Sequence, residues 1–180
     1  MPRMSGQMPL YYACKNTGRP TSEMTLIDDI PLEAGQTSTG CTSFFLDAGH
    51  KPLFPFGYGL GYTTFEYGVP VLSATEMAAD GSIDISCTVT NTGKRSGSDV
   101  VQLYVRDPVA SLARPLKELK AFEKITLAPG ESRTVSFTLP ASALAFHNAK
   151  GEAVIEAGAF RLWVDNSSAC KSKPVEFRIK

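Results

Sequence analysis

Apolar and polar positions alternate with period two along most of the chain from Val69 to the carboxy terminus. Ile83, Ile85, Cys87 and Val89 are separated by Asp84, Ser86 and Thr88, and Asn91-Thr92-Gly93 then supplies a turn. Val101, Leu103 and Val105 alternate with Gln102 and Tyr104 and stop at Asp107-Pro108. A longer segment, Leu116 to Leu127, carries Leu119, Phe122, Ile125 and Leu127 and ends in Ala128-Pro129-Gly130-Glu131. Val135, Phe137 and Leu139 lead to Pro140; Phe160, Leu162 and Val164 precede Asn166-Ser167-Ser168; Val175, Phe177 and Ile179 close the chain. Such alternation turns one face of each strand to a dry core and the other to water. About seven strands over about 110 residues, with turn chemistry between them, predict an immunoglobulin-like β-sandwich over residues 69–180. One helical turn is expected from Ala141 to Phe146. Trp163 is out of phase with Leu162 and Val164 and is expected on an outer face or under a loop.

Residues 1–50 carry a different pattern. Gln7 to Tyr12 reads as one strand, Thr17-Gly18-Arg19-Pro20 as a turn, and Ser43 to Leu46 as a short apolar segment. The polar, weakly patterned stretch from Thr21 to Thr42 lies between them. Two short apolar segments do not make a core, so this part needs a partner: the sandwich, another chain, or further sequence.

Residues 51–68 join the two parts. Pro52-Leu53-Phe54-Pro55-Phe56-Gly57-Tyr58-Gly59-Leu60-Gly61-Tyr62-Thr63-Thr64-Phe65 places five aromatics among prolines and glycines. Proline fixes φ and removes a donor, while glycine opens φ > 0, so neither a regular helix nor a central strand fits. The run is also too apolar for a solvated linker. It predicts an ordered connector pinned by Phe54, Phe56, Tyr58, Tyr62 and Phe65 as interdomain anchors.

Charge and cysteine usage narrow the function. The 180 residues carry 18 basic and 18 acidic side chains, without the cation cluster that nucleic acid requires. No apolar run reaches the about 20 residues that span a bilayer, and Met1-Pro2-Arg3 does not open a signal peptide. Cys14, Cys41, Cys87 and Cys170 lack zinc-ligand spacing, so neither a metal nor another cofactor is expected. Cys87 reads as a small buried apolar residue; a Cys14–Cys41 disulfide is a weaker reading. Periplasmic, secreted and cytoplasmic locations are all compatible with the sequence.

Several motifs resemble one family. Pro2-Arg3, Gly6 to Tyr12 and Asn16 to Pro20 are similar to the end of the second, α/β sandwich domain of family 3 glycoside hydrolases of the β-glucosidase and β-xylosidase type. Pro52 to Phe65 resembles the exit from that domain. Val89 to Gly93, Val101 to Val105, Arg114 to Phe122 and Leu127 to Glu131 resemble the fibronectin type III-like domain that follows. The resemblance implies a mainly β chain: a fibronectin type III-like sandwich preceded by a short remnant of the α/β domain. It implies retaining hydrolysis of β-linked saccharides by the whole enzyme, which needs two carboxylates about 5 Å apart. In the family, both motifs lie upstream of the segments matched here, so no catalytic residue is carried over. The chain accordingly reads as a carboxy-terminal fragment, a truncated reading frame, or half of a split hydrolase. The implied partners are the upstream catalytic domains or a complementary chain; a homo-oligomer is also compatible. There are departures: Thr42 to Asp47 lacks the basic residue many relatives have, and Gly61 stands where Ser is usual.

Tyr11, Tyr12 and Asp47 are the weak candidates for sugar contact. Interdomain packing accounts better for the two tyrosines, since aromatics bury large areas. A turn role accounts better for Asp47, as for solvated His50 beside it. Glu118 and Glu123 alternate with Lys117, Lys120 and Lys124 and read as a solvated strand face rather than a catalytic pair. A carbohydrate- or protein-binding sandwich is the alternative function.

Overall fold

The computed structural model describes residues 1–7, 11–15, 27–33, 49 and 51–180. Eleven strands follow one another among these: β1 (Phe65–Tyr67), β2 (Val71–Leu72), β3 (Glu76–Met77), β4 (Ser82–Asn91), β5 (Gly97–Arg106), β6 (Glu118–Leu127), β7 (Ser132–Pro140), β8 (Phe146–His147), β9 (Ala153–Val154), β10 (Gly158–Asp165) and β11 (Val175–Ile179). β4 is flanked by β7 on one side and by β1 and β2 on the other. The facing sheet has the order β3-β11-β10-β5-β6. β8 and β9 form a separate small hairpin.

The alternating residues meet between these two sheets. Ile83, Ile85, Cys87 and Val89 of β4 and Val135, Phe137 and Leu139 of β7 pack against Val101, Leu103 and Val105 of β5, Leu162 and Val164 of β10, and Phe177 and Ile179 of β11. The expected helical turn is a 3₁₀ turn, Ala141–Leu144, entered from Pro140, which has the extended backbone that ends β7. The Cys87 thiol lies in this core, donates to the Gly68 carbonyl at 3.3 Å, and is pushed up to about 11 by burial.

Three expectations change. The sandwich begins at Phe65 rather than at residue 69, because Phe65, Glu66 and Tyr67 pair with Asn91, Thr90 and Val89. β6 does not keep one phase. Leu103 faces Ala121 but Tyr104 faces Leu119, so Lys120 is an unpaired bulge residue. The bulge turns Leu119 outward beside Tyr104, while Phe122 stands 68% exposed. Gln7 belongs to a 3₁₀ turn, Ser5–Gln7, and Tyr12 to a further turn, so neither end of the expected Gln7–Tyr12 strand is extended, while residues 8–10 lie outside the described residues. Cys14 is an exposed free thiol, and Cys41, its partner in the weaker disulfide reading, lies outside the described residues. Trp163 lies where its phase placed it, outside the core and opposite Tyr104, under the loop that ends in Cys170. Among the described residues no helix is long and apolar enough to cross a membrane.

Candidate functional site

The outer side of β5 departs most from the pattern of its strand. Gln102 and Tyr104 point away from the core between Val101, Leu103 and Val105, yet both are buried. A buried amide must find partners, because leaving one unpaired costs about 1–3 kcal/mol. Gln102 finds them across three segments. Its Nε2 donates to the carbonyls of Gly57 at 3.0 Å and Asn166 at 2.8 Å, with a longer contact to Val100 at 3.3 Å. Its Oε1 accepts from the Tyr104 hydroxyl at 2.6 Å. Burial pushes that hydroxyl well above the usual tyrosine range.

Connector and sandwich are therefore joined at this side chain. Gly57 has φ +78, which an L side chain rarely adopts, and an added Cβ would overlap the Gln102 amide. Beside it, the Ser168 amide donates to the Phe56 carbonyl at 2.8 Å. The loop carrying Ser168 is held in turn by Lys117, whose Nζ donates to the carbonyls of Ser168 and Ala169 at 3.1 and 3.0 Å. That ammonium lies 5.4 Å from the centre of the Trp163 ring, a cation–π arrangement.

A second joint fixes the far end of the connector. The Thr63 hydroxyl donates to Asn91 Oδ1 at 2.6 Å, and Asn91 Nδ2 donates to the carbonyls of Arg95 and Leu127 at 2.8 and 3.0 Å. Gly93, whose amide also reaches Asn91 Oδ1, approaches Thr63 so closely that a Cβ would overlap its hydroxyl. Between the two joints, residues 58–62 arch away from the sandwich.

The expected anchors thus fall into three groups. Phe54 stacks on Tyr58 at 5.2 Å, and Phe56 stacks on Tyr12 at 4.1 Å. Phe65 is a β1 residue packed against the core. Tyr62, at the arch, is 92% exposed and stacks on no ring among the described residues; neighbouring Leu60 is 82% exposed. Of the weak sugar-contact candidates, Tyr12 is committed to Phe56, Tyr11 is exposed in its turn, and Asp47, like His50, lies outside the described residues. Glu118 holds Arg114 at 2.9 Å and Lys120 at 3.5 Å; these groups and Lys117 are half-buried, so of the expected solvated face only Glu123 and Lys124 are exposed.

The amino-terminal residues dock on this same region. The Met1 ammonium donates to the Phe54 carbonyl at 2.6 Å, and the Leu53 amide to the Met1 carbonyl at 3.0 Å. Gln7, buried, donates to the carbonyls of Gly49 and Lys51 at 2.9 and 3.2 Å. Lys15 bridges Pro115, and the Leu116 amide reaches the Cys14 carbonyl at 2.8 Å.

Under the arch runs a groove of about 670 Å³, walled by the connector and floored by Ser98, Asp99, Val100 and Lys124. Asp99 is the one carboxylate among its lining residues. It accepts from the Tyr67 hydroxyl at 2.9 Å and from the Val100 amide at 2.9 Å. Burial raises its carboxyl above the ordinary range, an effect those hydrogen bonds oppose. One carboxylate does not make the pair that retaining hydrolysis uses.

Residues 99–168 match the model of the fibronectin type III-like domain family. Over 168 residues the chain is 44% identical to the periplasmic β-glucosidase of Salmonella typhimurium, covering 93% of this chain and 20% of that protein. The chain belongs to the β-glucosidase-type family 3 glycoside hydrolases, as their carboxy-terminal part. A β-xylosidase of Formosa agariphila is 51% identical over 130 residues, covering 72% of this chain and 18% of that protein. The crystal structure of a Listeria innocua β-glucosidase in complex with glucose superposes with a TM-score of 0.83 at 35% identity, over 99% of this chain and 23% of that one. The chain thus spans about a fifth of the length of its glycoside hydrolase relatives.

Gln102, Tyr104, Asn91 and Lys117 are the site residues that alternation alone does not reveal. A Gln between Val101 and Leu103 reads as a wet-face residue. The available signal was Tyr104 and Trp163, two large aromatics in outward phase on their strands, which implies that something covers that face.

Proposed function

We propose that this chain is the structural carboxy-terminal part of a retaining β-glucosidase-type hydrolase. Its sandwich holds the aromatic connector in a set course, and residues 1–50 represent the end of the α/β domain from which the connector leaves. Catalytic carboxylates, and the pocket for β-linked saccharides, belong to the upstream domains. The observation that carries this reading is the double fastening of the connector. Gln102 and Ser168 hold one end and Asn91 holds the other, while Leu60 and Tyr62 stand exposed between them. Large apolar side chains held outward on a fastened backbone suit contact with a further protein body. Here they would meet the catalytic domains.

The purified chain should not hydrolyse aryl β-glucosides. Turnover that co-purifies with the chain and disappears on Asp99→Asn would overturn the assignment.

A further inference from the structure

The groove beneath the arch has a composition that domain packing does not account for. Phe54 and Tyr58 present aromatic surface on its connector side. Opposite them, Lys124 on β6 and Lys171 after β10 line the same space, and neither ammonium has an ion-pair partner among the described residues. The main-chain groups of residues 59–61, on the connector wall, make no hydrogen bond to another described residue. Asn166 contributes at the rim while its own carbonyl is held by Gln102.

We propose that this groove binds a saccharide that carries a carboxylate, such as a chain containing uronic acid. Sugar rings offer an apolar C–H face to an aromatic wall and hydroxyls to free main-chain amides, and both surfaces line this groove. The two unpaired lysines supply the charge complement for a carboxylate; Asp99, already bonded to Tyr67 and Val100, takes one lysine's worth of charge and leaves the groove cationic. An extended peptide fits less well. The floor strand β5 is paired on both sides, with β6 and β10, so it offers no free edge to which a strand could add.

This inference is independent of the hydrolase assignment, and its test involves no hydrolysis. The full chain is titrated calorimetrically with trigalacturonate, with neutral cellotriose and with short polyglutamate, at fixed salt. Trigalacturonate is expected to bind at least about tenfold more tightly than either of the others, since each about 1.4 kcal/mol of charge recognition is a factor of ten. The double variant Lys124→Gln, Lys171→Gln should lose that preference. Both lysines are solvent-exposed, so the variant keeps the fold. Equal binding of the two saccharides, equal binding of polyglutamate, or no binding of trigalacturonate would each overturn the proposal.

Discussion

Tyr104 donates its hydroxyl to Gln102 two residues earlier on the same face of β5, at 2.6 Å, and the pair lies on the side of the sheet opposite the core. With its oxygen engaged, the Gln102 amide directs its Nε2 at Gly57 and Asn166. A tyrosine thereby orients the side chain that fastens the connector.

Replacing Gln102 with Ala should cost about 2–4 kcal/mol, because the Tyr104 hydroxyl and two carbonyls lose their partner together. Tyr104→Phe should cost about 1 kcal/mol, since it removes one hydrogen bond and leaves the amide on its two carbonyls. Urea denaturation of the two variants checks the order. Equal losses would mean that the clamp does not depend on Gln102.

Asn91 offers a sharper substitution. Its Nδ2 donates to two carbonyls, so Asn91→Asp places acceptor against acceptor at a fully buried position. The loss should exceed that of Asn91→Ala, itself about 2–4 kcal/mol. If the Asp variant is the more stable of the two, the donor role is wrong. Thermal melts at neutral pH distinguish the outcomes.

Asp99 predicts a pH dependence. Burial raises its carboxyl in the folded chain, so the folded state holds a proton that the unfolded state has released. That contribution is present in full below the ordinary carboxylate value of about 4 and is lost as pH rises through the raised one. Asp99→Asn should remove this slope, since an amide does not titrate; its oxygen can accept from Tyr67 while its NH2 faces the Val100 N–H, so it should melt below the parent in acid. Melts of both proteins from acid to neutral pH provide the check; parallel curves would exclude Asp99 as the source.

Deleting residues 1–50 should leave the sandwich folded. Among the described residues, none before Phe65 belongs to its core. The deletion does remove Tyr12 from Phe56 and Met1 from Phe54, so proteolysis between residues 53 and 62 should quicken. A cooperative melt that collapses on deletion would show these residues to be integral to the fold.

The core of the sandwich was legible from alternation, because Ile83 to Val89, Val135 to Leu139 and Val175 to Ile179 each have one wet face. Leu119 was not, since a single bulge at Lys120 reverses its phase without a mark in composition, and Phe122, out of phase with Ile125 and Leu127, is exposed despite its ring. The fastening of the connector was half legible. Prolines, glycines and rings in the connector announced an ordered course, but its holders, Gln102 and Asn91, are polar residues in positions that ordinarily face water or a turn. Tyr62 was read as an anchor from its ring, and that ring stands 92% exposed.

The central claim is that the sandwich holds the connector through the Gly57 joint. Amide hydrogen exchange at Ser168, whose N–H is bonded to the Phe56 carbonyl at 2.8 Å, reports on it most directly. The account predicts slow exchange at Ser168 in the parent chain and fast exchange in Gly57→Ala, with the β4 and β5 amides protected in both. Fast exchange at Ser168 in the parent, or unchanged protection in Gly57→Ala, would contradict it.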